Sequence, residues 1–461
     1  MLPPIESVEL GLPDEAALTE LVQRQRWFGA RSRTARWGRI VDAAALRPER
    51  LVGVPTGVWV LFEIEFADGG SELYQLLLHG RPASESGLPA TLDDATLGPE
   101  LVREVVRAMC AARSLRSADG IVSFHAGELP PDLESEPIRA IGVEQSNSSA
   151  VFGERAILKV YRRLEDGMSP ELELLRFLRT RGFANAPRLL GWYEYAGPRV
   201  ESTLGVLQEF VRGEDGWDFA LDSLAGDLGR FLESARRLGE VTGTMHTVLA
   251  SDGDDPHFRP ERLDAKALAE LGSVVETEAR DVFSLLPDEI AGLDPIRGRG
   301  DEVLDRLRTL RRLGAFGVVI RHHGDYHLGQ VLWTGADWLV LDFEGEPART
   351  LPGRRRKRSP FRDVAGMLRS FAYAAETSRT RSVALPPEWE NDVRAAFLGG
   401  YLAAVDPTLL PPSDDVREAL LAAFELEKAV YELRYELDHR PTWIGVPVAG
   451  IVRALDRPVW R

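Results

Sequence analysis

Between Arg321 and Pro347 the stretches "RHHGDYHLGQ" and "LVLDFEGEP" crowd three histidines, two aspartates, two glutamates and a glutamine between runs that read as buried strand. Carboxylate and amide oxygens of this kind suit magnesium better than zinc. Phosphoryl transfer needs such an ion, a carboxylate within reach of the attacking hydroxyl, and a cation on the phosphates. Asp325 follows His323-Gly324, whose glycine permits a tight loop, and is the expected catalytic base. Gln330 and Asp342 are the expected magnesium ligands. The intervening "VLWTGADWLVL" reads as two short strands about a turn at Gly335-Ala336-Asp337, which returns Asp342 to the loop bearing Asp325. His327 either touches substrate or braces the loop, Glu344 stands with it on the acceptor side, and His322 reads as packing.

The order is that of H-R-D-x-x-x-x-N followed by D-F-G in protein kinases, written here as His-Gly-Asp-x-x-x-x-Gln and Asp-Phe-Glu-Gly. No G-x-x-x-x-G-K-S/T signature occurs, which disfavours a P-loop fold. Upstream, Lys159 in the strand-like "AILKV" is the expected phosphate-pairing cation. The helix "SPELELLRFLRTRG" follows, with Ser169 as cap, Pro170 at its first position and Gly182 at its end. Glu173 is its expected partner for Lys159, with Glu171 the alternative, because Glu173 also has capping-box spacing. The strand "TLGVLQEFV" can serve as a hinge between lobes, with Gln208, Glu209 and Val211 lining the nucleotide site.

Those elements sit in a chain of 461 residues, too long for one core and read as three parts: a cap of residues 1–90, a nucleotide-binding lobe of 91–212 and a helical lobe of 213–461. The first part holds a helix at "DEAALTELVQRQRWFGARS", whose "WFGA" reads as core packing, then a hairpin about Asp68-Gly69-Gly70. A helix is expected over Leu97–Ser117, and a second hairpin turns at Gly153-Glu154-Arg155. Hydrophobic content of 44% and charged content of 28% are those of a globular protein, and a formal net charge of −16 argues against nucleic-acid or anionic-membrane binding. Cys110 is the only cysteine, which excludes disulfides and thiolate metal sites, and it reads as a core residue. No export signal and no run of about 18 apolar residues is present, so a cytoplasmic protein is expected. The basic run "GRRRKRS" over Gly353–Ser359 reads first as a solvated loop, with a place beside the active-site cleft or on a partner as alternatives.

"VEQSNSSAVFGERAILKVYRRLEDGMSPELELLRFL", "HHGDYHLGQVLW", "WLVLDFEGEPART", "SPFRDVAGMLRSFAYAA", "ELEKAVYELRYELDHRPTW" and "QRWFGARSR" together resemble the actinobacterial maltokinases over essentially the whole chain. The resemblance implies an α+β, bilobal protein-kinase-like (aminoglycoside phosphotransferase-like) fold with an N-terminal α+β cap subdomain. It implies phosphorylation of maltose to maltose 1-phosphate with ATP and Mg²⁺, in trehalose, glycogen and α-glucan metabolism. It also makes association with trehalose synthase an expectation. On the same ground Ser146, Asn147, Ser148 and Ser149 would replace a glycine-rich nucleotide loop, Ser148 standing where many maltokinases carry threonine.

Asp363, opening a helix after the metal loop, braces the catalytic loop or is a plain helix N-terminal carboxylate. Lys428, Tyr431, Glu432, Tyr435 and Glu436 fall on adjacent helical faces and combine aromatic and carboxylate surface suited to a sugar. Two other readings stand beside maltose: a kinase of glucosamine or another monosaccharide with the same machinery, and an inactive kinase-like partner module. The second is disfavoured because Lys159, Asp325, Gln330 and Asp342 are all present.

Overall fold

Alternating apolar residues in "GVWVLFEIEF" and "ELYQLLL" form the antiparallel strands β2 (Val54–Phe66) and β3 (Ser71–Leu78), closed where Gly69 and Gly70 adopt φ of 89° and 78°. The structure is a computed structural model that describes residues 10, 12–51, 54–78, 98–141, 147–226, 228–262, 265–287, 289–313, 317–347, 349–381, 385–386 and 388–456. The chain divides into one unit of Met1–Arg179 with Pro187–Arg212 and another of Thr180–Ala186 with Gly213–Arg461.

In the first unit α1 (Glu15–Arg24) is capped by Asp14, whose side chain accepts from Ala17 N at 2.7 Å, and packs on β1 (Ala35–Leu51). Trp27 and Phe28 of "WFGA" join Val58, Val60, Phe62, Tyr74 and Leu76 in its core, as the sequence suggests. A seven-stranded antiparallel sheet follows. It comprises β4 (Ser114–Arg116), β5 (Ile121–Ala126), β6 (Ile138–Ile141), β7 (Asn147–Phe152), β8 (Ala156–Tyr161), β10 (Leu189–Ala196) and β11 (Glu201–Glu209), in the order β4-β5-β10-β11-β8-β7-β6. Strand β9 (Arg163–Leu164), one residue beyond β8, pairs instead with β3, so the first sheet reads β1-β2-β3-β9.

The helix expected over Leu97–Ser117 ends early. Helix α2 is Pro99–Cys110, Ala112 takes φ of 46°, and Ser114–Arg116 leaves as edge strand β4. Cys110 is correspondingly exposed, contrary to its reading as core. The buried face of α2 is carried by Leu101, Val102, Val105, Val106 and Met109, and position 110 turns away from it.

Two buried polar side chains join the sheets of this unit. The Gln75 amide donates to the carbonyls of Tyr161 and Leu204 and accepts from Trp59 Nε1 at 3.3 Å and Tyr193 OH at 3.1 Å. Asp42 accepts from the backbone N–H of Ala43 and Ala118, from the Ser117 hydroxyl, and from Tyr195 OH at 2.7 Å. Helix α3 (Pro170–Thr180) begins as expected, Ser169 Oγ accepting from Leu172 N at 3.2 Å.

The second unit is mainly helical. It contains α4 (Gly216–Ala225), α5 (Leu228–Leu249), α6 (Ala265–Ser284), α7 (Gly300–Leu313), α8 (Leu351–Arg355), α9 (Phe361–Thr380), α10 (Trp389–Ala404), α11 (Asp414–His439) and α12 (Gly445–Asp456). Strands β12 (Glu214–Asp215), β15 (Val331–Trp333) and β16 (Trp338–Val340) form a small sheet, and β13 (Glu261–Arg262) pairs with β14 (Val318–Val319). Helices α5 and α10 cross backbone to backbone: a methyl at Gly239 would strike the Phe397 carbonyl, and one at Gly400 the Arg236 carbonyl. The expected turn at Gly335-Ala336-Asp337 is formed and anchored by Arg237, which pairs with Asp337 at 2.8 Å.

The basic run is not a solvated loop. Lys357 Nζ donates to the carbonyls of Pro256 at 2.6 Å and Arg259 at 2.7 Å and pairs with Glu261, so this run docks on the acidic stretch "SDGDDPHFRPERLD". Arg358 pairs backbone to backbone with Ile320 at 3.0 Å. Among the described residues no helix is long and apolar enough to cross a membrane.

Replacing Gln75 by leucine would leave an indole N–H, a phenol and two carbonyls without their buried partner. At about 1–3 kcal/mol for a stranded group, partly relieved by relaxation, the Gln75→Leu protein should lose about 2–4 kcal/mol in urea unfolding. A loss below 1 kcal/mol would show that the junction carries little.

Candidate active site

In the second unit the loop before Asp325 hangs on one carboxylate. Asp363, in the first turn of α9, accepts from His323 N at 2.8 Å and Gly324 N at 3.0 Å, and His246 Nε2 bonds it at 3.1 Å. It is 2% exposed. Burial opposes its charge, but the field of His322 and the His246 hydrogen bond outweigh that and hold the carboxyl below the ordinary aspartate range. His322 is buried and pushed down to about 3, first by burial against the opposing pull of Asp363; it packs, as expected. Gly324 takes φ of 91°, which a side-chain-bearing residue would resist. Of the two readings of Asp363, the loop brace is the one the geometry shows.

His323 ties this loop to the next functional segment. Its Nε2 lies 2.8 Å from the Leu341 carbonyl and therefore donates, leaving Nδ1 to accept from Asp325 N at 3.3 Å. Asp342, the next residue, has φ of 60°, a left-handed conformation that aspartate tolerates better than most residues. The hairpin of β15 and β16 brings Gln330 against it, the two side chains meeting at 3.2 Å, while Leu341 N donates to Gln330 O at 2.8 Å. In that contact Gln330 Nε2 donates to Asp342 Oδ2, so the amide must turn its oxygen inward for the two side chains to meet a divalent cation as hard-oxygen ligands.

The Asp325 carboxylate, 24% exposed, faces Lys428 Nζ at 3.6 Å and His327 Nε2 at 3.8 Å. His327 Nδ1 accepts from Gly329 N at 3.1 Å, so its proton sits on Nε2 toward Asp325. His327 thus braces the loop with one nitrogen and presents the other at the base. Burial pushes its pKa down, with Asp325 opposing.

Around Asp325 lies a pocket lined also by Glu278, Glu346, Arg349, Arg362, Glu427, Lys428 and Tyr431. Of the five residues expected from α11, Lys428 and Tyr431 face it, the ammonium 5.0 Å over the tyrosine ring. Glu432, Tyr435 and Glu436 do not. Glu432 is held by Arg369 at 2.7 Å, and Glu436, 1% exposed, accepts from Tyr373 OH at 3.1 Å and pairs with Arg440. Tyr435 stacks on His439 with centroids 4.5 Å apart. At 3.6 residues per turn, Glu432 and Glu436 are rotated roughly 40° and 80° from Lys428, which turns them inward, and Tyr435 lies a turn beyond the pocket. Glu344 also lies outside this lining, whereas Glu346, two residues on, is part of it and pairs with Arg349. Sequence reasoning missed Glu278, Glu346, Arg349, Arg362 and Glu427. The signal for Arg362 and Glu427 was adjacency to Asp363 and Lys428; Glu278 had none.

In the first unit Lys159 of β8 pairs with Glu171, Nζ to Oε1 at 2.9 Å. The same carboxylate accepts from Gln208 Nε2 at 2.6 Å and Tyr161 OH at 2.7 Å. Three donors thus converge on Glu171, the alternative partner, while Glu173 is buried on the same helix turn. The Gln208 side chain is engaged by that carboxylate, and Glu209 is held by Arg188, which lowers its pKa. Val211 is half-buried just past β11. Ser148 Oγ accepts from Arg162 Nε at 2.7 Å, Ser149 is buried, and Asn147 is half-buried at the start of β7; Ser146 lies outside the described residues.

Asp363→Asn should cost about 2–4 kcal/mol near neutrality, since one loop N–H would then face an amide N–H. The Asp363 pKa is lowered on folding, so its contribution is complete above the unfolded value of about 4 and is lost as pH falls through the folded one. The stability gap between wild type and variant should therefore narrow between about pH 5 and pH 3 in chemical unfolding. Glu432→Ala should destabilise by about 3–5 kcal/mol by stranding buried Arg369. A loss below about 1 kcal/mol in urea unfolding would show that this pair carries little.

Residues 137–345 match the phosphotransferase enzyme family, and residues 22–105 match the maltokinase N-terminal cap domain. A glucosamine kinase of Mycolicibacterium smegmatis is 29% identical over 335 residues, covering 69% of this chain and 79% of its own. One of Streptacidiphilus jiangxiensis is 28% identical over 365 residues, covering 76% and 80%. The solved structure of a glucosamine kinase in complex with glucosamine, ADP and inorganic phosphate shares the fold, with a TM-score of 0.72 and 21% identity over 98% of this chain and 99% of that one.

Proposed function

We propose that this chain, a kinase with a hydroxyl acceptor whose residues 137–345 match the phosphotransferase enzyme family and whose residues 22–105 match the maltokinase N-terminal cap domain, phosphorylates an amino sugar at the expense of ATP. The observation that carries this reading is the Asp325 carboxylate, partly open in a pocket of carboxylates and cations built from α6, α9 and α11. Asp325 would accept the proton of the attacking hydroxyl, which must lie within hydrogen-bond reach. Lys428 and His327 hold its two oxygens from either side, and His323 fixes the backbone beneath it.

Gln330 and Asp342 would hold Mg²⁺ and Lys159 would meet the nucleotide phosphates. The ion, when bound, neutralises charge on the transferring group. Glu171 keeps the lysine extended, its carboxylate fixed by Tyr161 and Gln208.

The acceptor has a second reading. The cap match over residues 22–105 favours maltose and its 1-phosphate, whereas the curated relatives that cover 69% and 76% of the chain are glucosamine kinases. Purified protein should be assayed for ATP consumption with glucosamine, maltose, glucose and an aminoglycoside. We expect the highest kcat/KM with glucosamine. A maltose preference would restore the second reading, and no turnover with any of them would overturn the sugar-kinase proposal. Asp325→Asn should lower kcat by about 10²–10⁴-fold with folding intact; near-normal turnover would remove Asp325 from the role of base.

A further inference from the structure

The pocket at Asp325 holds four carboxylates and three cations. Arg349 pairs with Glu346, Arg362 with Glu427 at 2.7 Å, and Lys428 faces Asp325 at 3.6 Å. Glu278 is the carboxylate left over. It projects from α6, is half-buried, and has no hydrogen bond or ion pair among the described residues. Burial, followed by the field of Glu427, pushes its carboxyl up; Arg349 opposes more strongly than Glu346 adds, and Arg434 opposes more weakly, but the net direction is upward. The Tyr431 hydroxyl is likewise pushed up, by burial first and then by Glu346, Asp325 and Glu278 among its neighbours. Even half-burial is costly for a carboxylate with no hydrogen bond or ion pair, and this one borders the space beside the base where an acceptor would lie.

Resting on the sugar-kinase reading above, we propose that Glu278 is the specificity-determining residue of this pocket and takes the ammonium group of a 2-amino sugar while Asp325 addresses the reacting hydroxyl. The ammonium supplies the missing fourth cation. Its three donors match a carboxylate already desolvated on one side, and the charge-assisted hydrogen bond is stronger than one to a neutral hydroxyl. A neutral sugar leaves the excess charge in place, and an N-acetylated amino sugar removes the cation and adds bulk. Neither reacting atom touches Glu278, so its contribution falls on acceptor binding, with little on the chemical step.

The test compares the full-length wild type with Glu278→Gln, which keeps the shape and deletes the charge, and Glu278→Asp, which keeps the charge on a shorter stem. For glucosamine, Glu278→Gln should raise KM about tenfold to a hundredfold with kcat within about threefold. Its KM for glucose should stay level or fall, and Glu278→Asp should recover part of the glucosamine affinity. Equal changes for glucosamine and glucose, or none for glucosamine, would overturn the assignment. Calorimetric titration with glucosamine separates the two levels of inference. Binding to wild type but not to Glu278→Gln, without turnover, would retain Glu278 and sink the kinase reading. Equal binding to both proteins, or binding to neither, would sink Glu278.

Discussion

One buried carboxylate sets the geometry of the second unit. Asp363 gathers two consecutive backbone N–H groups and an imidazole, and so fixes the direction in which the chain leaves His323 and Gly324. Everything after that depends on this exit. Asp325 is aimed by it, the His323 ring reaches the Leu341 carbonyl because of it, and Asp342 then follows at a backbone angle few residues accept. Tyr326 and Leu328 extend the anchoring, the first bonding Thr242 at 2.9 Å and the second Ser370 at 3.0 Å. A loop built this way is held by hydrogen bonds to the main chain at almost every residue, which is why it can present polar side chains in a defined direction despite lacking regular secondary structure.

The first unit solves a related problem with sheets. Lys159 must project from a strand whose position is fixed, and β8 is hydrogen-bonded on both edges, to β7 and β11. Gln75 adds a fixture at the strand's end by donating to the Tyr161 carbonyl from the neighbouring sheet. Trp27 of the same region lies under the Arg162 guanidinium, 5.2 Å away, and Arg162 in turn holds Ser148. The N-terminal sheet is therefore part of the scaffold around Lys159 and β7, joined by polar contacts as well as apolar packing.

Legibility in the sequence followed chain distance. Asp325, Gln330 and Asp342 lie within one loop and one hairpin, so spacing and turn chemistry sufficed to bring the amide to the carboxylate. Hairpins and caps were readable for the same reason: Gly69, Gly153 and Ser169 act on their immediate neighbours. Choices that depend on a third element were not. Glu171 and Glu173 share a helix turn, and the hydrogen bonds of Tyr161 and Gln208, from two strands, to Glu171 could not be read from that turn. Helical spacing placed Glu432 and Glu436 beside Lys428, but Arg369 and Tyr373 of another helix turn that face into the core. Glu278 joins the pocket from α6, some distance back along the chain and without any motif, so no local pattern could have marked it.

The passage from β8 to β9 is a single residue, the buried Arg162, after which the chain has changed sheets. An insertion or deletion there would advance one sheet by one residue relative to the other, and in a strand that exchanges inward and outward faces for every side chain beyond it. Lys159 and Tyr161 on one side and the β3 partner Leu164 on the other could not both keep their places. The length of this link is therefore under a stricter constraint than its composition. Descendants of the fold can lengthen the chain at the surface turns around Gly153 or Gly335, but the step at Arg162 must be conserved in count, whatever happens to the residues themselves.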